Sequence, residues 1–201
     1  MKNFISLLII TFSLLIISTA ESYAQCTSCP NNSTPTAFPI TLASGCIAYV
    51  HYCFDCSPTG HPMAKICMVS IPRVSACSGI VIDSQFWIDI RRAMMVDLNT
   101  ICSNAWGNIP PCSTSTRYSM EIVSTECMEV IDHPTDPELI IIKPCDLEPG
   151  FCSKKYEVCW DNGAWLENTI STEFTPGECD YTPIVLDPWS LPSWCTSIGC
   201  E

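Results

Sequence analysis

One segment of the chain carries apolar residues at helical spacing. Asp83 or Ser84 can accept the amide hydrogen bonds of a first turn. Gly107 and the pair Pro110 and Pro111 end the pattern. The apolar positions recur three and four residues apart, and they are Trp87, Ile90, Met94, Leu98 and Ile101. This spacing predicts one long helix that buries the apolar stripe against the rest of the protein.

Six other segments alternate, or run apolar, in the manner of β-strands. They cover residues 45–54, 63–71, 117–123, 138–143, 151–160 and 164–174. Turn residues at 57–60 predict that the first two strands pair as a hairpin. Asn162 and Gly163 predict a second hairpin between the last two strands. Residues 26–39 are rich in Pro, Ser, Thr and Asn, which predicts an extended arm.

The predicted order is β-β-α-β-β-β-β, which is typical of an α+β fold with mostly antiparallel strands and one long helix. We expect an irregular, Pro-rich C-terminal tail, because four prolines preclude long regular elements there: Pro176, Pro183, Pro188 and Pro192. No linker separates two cores. Residues 25–201 are therefore expected to form a single domain, with a sub-boundary near residue 110 as the alternative.

The N-terminus has the pattern of a secretory signal peptide. Lys2 precedes an apolar run over residues 4–17, and Ser22-Tyr23-Ala24 fits the small-x-small cleavage rule. The short signal with its leading Lys is typical of bacteria, and we expect residues 1–24 to be removed. The mature protein is expected to be secreted and extracellular, with the periplasm or the cell surface as alternatives. No later segment is long and apolar enough to span a membrane.

Cysteine content then sets the redox chemistry. The chain has 16 cysteines, an even number, and an oxidising compartment favours eight disulfides, whose pairing the sequence leaves open. The expected disulfide-forming residues are Cys26, Cys29, Cys46, Cys53, Cys56, Cys67, Cys77, Cys102, Cys112, Cys127, Cys145, Cys152, Cys159, Cys179, Cys195 and Cys200. The predicted protein is therefore a disulfide-rich scaffold.

Charge narrows the choice of partners. The chain carries 9 Lys and Arg against 21 Asp and Glu, a formal net charge of −12. An acidic surface repels nucleic acid and anionic membranes, and no basic stripe follows any predicted element. We therefore expect no nucleic-acid partner.

Two CxxC pairs raise a metal and a redox hypothesis. The pair Cys26 and Cys29 is separated from the pair Cys53 and Cys56 by 23 residues, and zinc sites use two such pairs, usually with somewhat closer spacing. A redox dithiol at Cys53 and Cys56 would need a nearby positive charge or a helix N-terminus, and no basic residue lies close in sequence. Halves of structural disulfides are the favoured interpretation, with zinc as the alternative.

Carboxylates and histidines offer weaker sites. One acidic segment could hold calcium, although an ordinary solvated strand end and loop, without a ligand, is the favoured interpretation: Glu126, Glu129, Asp132, His133, Asp136 and Glu138. The chain has three histidines, including His51 and His61, and no nucleophile elbow, zinc-protease, phosphate-binding or dinucleotide motif. We expect no cofactor and lean against an enzyme, with a secreted hydrolase as the alternative.

Aromatic residues concentrate near the C-terminus. Exposed Trp and Tyr favour recognition of proteins and sugars because they bring a large rigid area at little entropy cost. The candidates are Tyr156, Trp160, Trp165, Tyr181, Trp189 and Trp194. The favoured alternative is that they fill the core of a disulfide-rich fold. The hypothesis is a secreted, non-catalytic, extracellular binding or structural module that contacts a protein or a carbohydrate surface through these residues, with a hydrolase or a metal-binding protein as the alternative.

Overall fold

A computed structural model describes residues 26, 29, 33–42, 44–56, 61–107, 109–114, 118–146, 149–161, 164–192, 194–198 and 200. The predicted signal peptide over residues 1–24 and the predicted turns at 57–60 and 162–163 lie outside these residues. Within them the fold is α+β, rich in strands, with one α-helix and many disulfides, as predicted. No helix among them is long and apolar enough to cross a membrane.

The described residues form eleven strands and the helix α1, Ser84–Trp106. A short 3₁₀ turn, Ser75–Cys77, precedes β4. The strands are β1 Thr34–Thr41, β2 Ile47–Asp55, β3 Met63–Pro72, β4 Val81–Ile82, β5 Tyr118–Ser124, β6 Cys127–Asp132, β7 Leu139–Pro144, β8 Phe151–Asp161, β9 Ala164–Thr175, β10 Ile184–Val185 and β11 Thr196–Ser197.

Strand β3 is the centre of a branched nine-stranded sheet. One of its edges pairs with β2, which pairs in turn with β1. Its other edge is shared, because residues 63–65 pair in parallel with β5 and residues 69–72 pair antiparallel with β7. One branch continues from β5 to β8 and β9, and the other from β7 to β6 and β11. The pairing of β3 with β5 is the single parallel pairing between the described strands.

Helix α1 packs against one face of this sheet. The Asp83 side chain accepts a hydrogen bond from the backbone N–H of Phe86 at 2.9 Å and so begins the helix. Gly107 ends it at φ 78°, a conformation that glycine adopts without strain. The predicted apolar stripe is buried against the sheet, and the Tyr52 hydroxyl of β2 donates to Asp97 of the helix at 2.5 Å. The helix covers the central core.

The predicted strand order is incomplete, because the structure has further strands. The segment predicted as an extended arm contains β1, which pairs along its whole length with β2 and packs Phe38 and Ile40 against the core. The acidic segment contains β6, where Met128 and Val130 are buried. Polar residues dilute the apolar pattern of both strands, so that local periodicity did not reveal them.

The C-terminal segment is mostly irregular, apart from two two-residue strands, and it is held against the sheet. Strand β10 pairs with β4, and β11 pairs with β6. Ile184, Leu186 and Ile198 are buried in the main core. Short pairings succeed here despite the prolines because disulfides and core contacts supply the order that a longer ladder would provide.

All sixteen cysteines form eight disulfides. The bonds within residues 26–102 are Cys26–Cys67, Cys29–Cys53, Cys46–Cys77 and Cys56–Cys102. The bonds within residues 112–200 are Cys112–Cys159, Cys127–Cys179, Cys145–Cys195 and Cys152–Cys200. No disulfide joins these two halves, although the sheet runs through both.

Candidate functional site

A cleft of about 700 Å³ opens between two stretches of the C-terminal segment. One wall comes from the residues that follow β9, and the other from the residues just before β11. The lining residues are Gly177, Glu178, Cys179, Asp180, Thr182, Trp194 and Cys195. Both walls are irregular backbone, so their positions depend on side-chain and disulfide contacts.

Disulfides hold each wall of the cleft to the sheet. Cys179 is bonded to Cys127 at the start of β6, and Cys195 is bonded to Cys145 just after β7. The two walls also contact each other: the Thr196 hydroxyl donates to the Thr182 carbonyl at 2.6 Å and accepts from the Thr182 N–H at 3.0 Å. The cleft is therefore fixed by covalent bonds and by a reciprocal hydrogen-bonded pair.

The buried carboxylate of Glu126 forms hydrogen bonds with both of these segments. One of its oxygens accepts from the backbone N–H of Gly177, and the other accepts from the Ser197 hydroxyl, both at 2.5 Å. Charge-assisted bonds of this kind are stronger than neutral ones. Both carboxylate oxygens of Glu126 therefore have hydrogen-bond partners within the protein, and these bonds help to position the walls of the cleft.

The lining combines one aromatic surface with two carboxylates. Trp194 is 51% exposed, and Glu178 and Asp180 are both exposed beside it. A flat indole face packs against the C–H face of a sugar ring or against a cation. Carboxylate oxygens accept hydrogen bonds from hydroxyl or ammonium groups. The arrangement can therefore hold a polyhydroxylated or a cationic ligand.

The other predicted aromatic residues do not line this cleft. Trp160, 41% exposed, and the partly buried Trp165 face each other across the β8–β9 hairpin, with ring centroids 5.7 Å apart in an edge-to-face arrangement. The Trp165 ring nitrogen is buried without a hydrogen-bond partner among the described residues. Tyr156 is buried in the core, and burial raises its pKa. None of these three side chains lines the cleft with Trp194.

Trp189 and Tyr181 are isolated exposed aromatics of the C-terminal segment. Trp189 is 63% exposed on a turn in which Asp187 accepts hydrogen bonds from the N–H groups of Trp189 and Ser190. Next to that turn, Arg73 donates to the Pro188 carbonyl. Neither aromatic side chain lines the cleft.

The four cysteines of the zinc hypothesis are distributed over three disulfides. Cys26 and Cys29 bond to Cys67 and Cys53, whereas Cys56 bonds to Cys102 on the helix. Zinc binds thiolates, so disulfide sulfurs do not provide its ligands. The structure brings Cys67, and not Cys56, next to the other three.

Three acidic residues of the calcium hypothesis each contact a different group. Glu126 is engaged below the cleft, Glu129 lies 2.7 Å from the Lys143 ammonium, and Asp132 pairs with Arg73. The described part of the chain places no three of these carboxylates within reach of one ion. Glu129 and Asp132 act as partners of basic side chains.

Glu121 contacts both His61 and Ser153, the side chains that could serve as base and nucleophile in a hydrolase. One of its oxygens contacts His61 Nε2 at 2.8 Å and the other accepts from the Ser153 hydroxyl at 2.5 Å. Burial raises the pKa of the Glu121 carboxyl, but the hydrogen bonds from Ser153 and His61 and the nearby charges of His61 and Lys155 outweigh it and lower that pKa. A serine triad requires the histidine to bridge the serine and the acid, so this order does not activate Ser153.

His51 and Ser70 form a second Ser–His contact, which is buried. The Ser70 hydroxyl lies 2.8 Å from His51 Nε2, and both side chains are buried. Burial, followed by the nearby His133, lowers the pKa of His51. His133 Nδ1 accepts from the backbone N–H groups of Thr135 and Asp136. The buried position of Ser70 makes it a poor nucleophile for a large substrate.

Sequence reasoning found Trp194 but missed Glu178 and Asp180. The available signal was the alternation of these acids with Cys179, because a disulfide of Cys179 fixes the backbone that carries both acids. No protein-family model, no curated protein and no solved structure matches the chain. Its function must therefore be inferred from the side chains described above.

Proposed function

We propose that this protein is a non-catalytic extracellular binding module that holds a carbohydrate in the C-terminal cleft. The observation that carries the proposal is the half-exposed Trp194, held beside Glu178 and Asp180 in an open cleft. Sugar-binding sites need an aromatic platform and fixed hydrogen-bond acceptors at its rim. Two disulfides pre-organise the walls, which reduces the entropy lost on binding.

The exposure of the carboxylates favours binding over hydrolysis. A glycosidase usually keeps one carboxyl group protonated in an apolar pocket, next to a second, ionised one. Glu178 and Asp180 are both exposed, which suits acceptance of hydrogen bonds from ligand hydroxyls. The eight disulfides are consistent with an extracellular setting, because such bonds persist in oxidising compartments.

The test is binding of the disulfide-intact protein to a panel of soluble oligosaccharides and insoluble polysaccharides. Trp194→Ala should weaken binding to the best ligand at least about tenfold, which corresponds to ~1.4 kcal/mol. Trp189→Ala is the matched control: Trp189 is equally aromatic, more exposed and on the same segment, but outside the cleft. It should leave affinity within about twofold.

Two outcomes would overturn the proposal. Equal losses of affinity in Trp194→Ala and Trp189→Ala would show that the cleft is not the binding site. Failure of the wild-type protein to bind any glycan would show that a carbohydrate is not its ligand. Glu178→Gln and Asp180→Asn should each weaken glycan binding, because the new amide nitrogen cannot accept a hydrogen bond. Circular dichroism of all four variants should match the wild-type protein.

A further inference from the structure

Two of the disulfides lie in direct contact with each other. Cys26–Cys67 and Cys29–Cys53 both join the segment before β1 to the central strands. The sulfurs of Cys53 and Cys67, which belong to different disulfides, are 3.5 Å apart, close to van der Waals contact. The sulfurs of Cys26, Cys53 and Cys67 all lie within 4.8 Å of one another. Four cysteines therefore share one sulfur cluster.

The sheet explains why these sulfurs meet. Tyr52 and Ile66 are opposite each other and face the helix, so their neighbours Cys53 and Cys67 point to the other face. The β2–β3 register shifts between His51 and Tyr52, which places an extra β3 residue at this point. The bulge therefore brings Cys67 next to Cys53 although neither is the other's direct partner.

Strand pairing places a lysine opposite one cysteine of the cluster. Lys65 is directly opposite Cys53 across the β2–β3 pair, and directly opposite side chains on one face are in contact range. A nearby ammonium group stabilises a thiolate and raises its fraction. Sequence spacing indicated no basic residue near Cys53, and only strand pairing brings one there.

We propose that Cys26, Cys29, Cys53 and Cys67 form a thiol–disulfide exchange site for an external thiol. Exchange converts the pairing Cys26–Cys67 and Cys29–Cys53 into Cys26–Cys29 and Cys53–Cys67. In the first pairing, two disulfides link Cys26 and Cys29 to β3 and β2. In the second pairing, Cys26 and Cys29 are bonded to each other, and neither is bonded to the sheet. Exchange at this site therefore determines whether Cys26 and Cys29 stay bonded to the sheet.

The reaction balances without net oxidation. The external thiolate attacks the Cys26 sulfur, which forms a mixed disulfide and releases the Cys67 thiolate. Cys67 attacks the adjacent Cys53 sulfur, forms Cys53–Cys67 and releases the Cys29 thiolate. Cys29 then attacks the Cys26 sulfur of the mixed disulfide, forms Cys26–Cys29 and returns the external thiolate. Entry at Cys26 fits the burial, because Cys26 and Cys67 are partly accessible and Cys53 is buried.

A double variant tests the contact between Cys53 and Cys67. Cys26→Ser with Cys29→Ser should show no free thiol on labelling in denaturant, because the two remaining cysteines pair with each other. The matched control, Cys46→Ser with Cys112→Ser, also breaks two disulfides and should show two free thiols, from Cys77 and Cys159. Two labelled thiols in a folded Cys26→Ser and Cys29→Ser variant would overturn the proposal.

A second measurement uses the wild-type protein and does not depend on variant folding. The protein is incubated with reduced glutathione, quenched in acid and digested without reduction by trypsin and chymotrypsin. Cleavage after Tyr49, Phe54 and Lys65 separates the cysteines concerned. A Cys53–Cys67 cross-link should appear only in the glutathione-treated sample, together with a Cys26–Cys29 loop. Persistence of the original pairing alone would overturn the proposal.

Discussion

His51 is the clearest case in which burial of one side chain changes its chemistry. It lies on β2 between Val50 and Tyr52, which face the helix, so its ring points to the opposite face of the sheet. Only 6% of its surface is exposed. Burial first, and then the neighbouring His133, hold the pKa of His51 below its usual value of 6.5. The folded protein therefore favours the neutral ring.

The pH dependence of stability follows from that shift. Above pH 6.5 the ring is neutral in both the folded and the unfolded chain, and its full contribution is present. As the pH falls below 6.5, the unfolded chain binds a proton first, so the free energy of unfolding decreases until the lowered folded-state pKa is reached. Each unit of difference between the two pKa values is worth about 1.4 kcal/mol.

His51→Gln should remove this acid sensitivity. The variant keeps a polar group near the Ser70 hydroxyl but cannot titrate. Urea unfolding at pH 7 and pH 5 should show a smaller difference in the free energy of unfolding than in the wild-type protein. His61→Gln is the control, because His61 is partly exposed and pairs with Glu121 elsewhere. An unchanged pH dependence in His51→Gln would assign the acid sensitivity to other groups.

The β8–β9 hairpin carries its aromatic pair at its closed end. Trp160 and Trp165 are direct cross-strand partners. Trp160 is also held by backbone bonds from the other side, because its N–H donates to the Pro110 carbonyl and its carbonyl accepts from Cys112. The Cys112–Cys159 disulfide fastens the same point. These contacts fix the backbone of Trp160, whose ring stays 41% exposed.

The two tryptophans should respond differently to substitution. Trp160→Ala removes an exposed ring and its edge-to-face contact, worth about 0.5–1.5 kcal/mol. Trp165→Ala also removes contacts with the core and should cost more, about 2–4 kcal/mol. Urea unfolding gives both values. Both variants should remain folded and, if the hairpin is a second contact surface, should weaken binding to a partner. Equal costs, or unfolding of both, would place Trp160 in the core as well.

At the scale of the whole molecule, covalent and non-covalent connectivity differ. Four disulfides lie within residues 26–102 and four within residues 112–200. The halves are joined by strand pairing of β3 with β5 and β7, and of β4 with β10. The alternative sub-boundary near residue 110 falls between the disulfide sets, whereas the sheet crosses it without a break.

A cut between the halves should therefore separate them without reduction. A specific protease site is inserted after Gly107 and cleaved in the folded protein. Size exclusion should show one species in buffer, because the sheet holds the halves together. Non-reducing electrophoresis in detergent should show two bands, because no disulfide spans the cut. A single band would demonstrate a disulfide between the halves.

The control places the same site between Asp146 and Pro149, inside the loop closed by Cys112–Cys159. That protein should run as one band until it is reduced.

Each disulfide closes a loop with a sequence separation between 24 and 52 residues. Each therefore stabilises its own half by roughly 3–4 kcal/mol because it restricts the unfolded chain, and the contributions are not strictly additive.

Local sequence pattern was enough to predict the helix, the richness in strands and the disulfides. The apolar stripe from Trp87 to Leu98 depends only on a spacing of three and four residues. The six predicted strand ranges overlap β2, β3, β5, β7, β8 and β9 for the corresponding reason, a period of two. Cysteine content and compartment chemistry predicted disulfides without any geometry.

Tertiary structure alone decided which residues meet. Strand β1 becomes a strand because β2 offers it a ladder, and its own polar composition does not show this. Lys65 reaches Cys53 through strand pairing, and Glu178 reaches Trp194 through two disulfides that no spacing rule can assign. Periodicity reports the environment of a residue within its own element, whereas pairings across long loops depend on the packing of the entire chain.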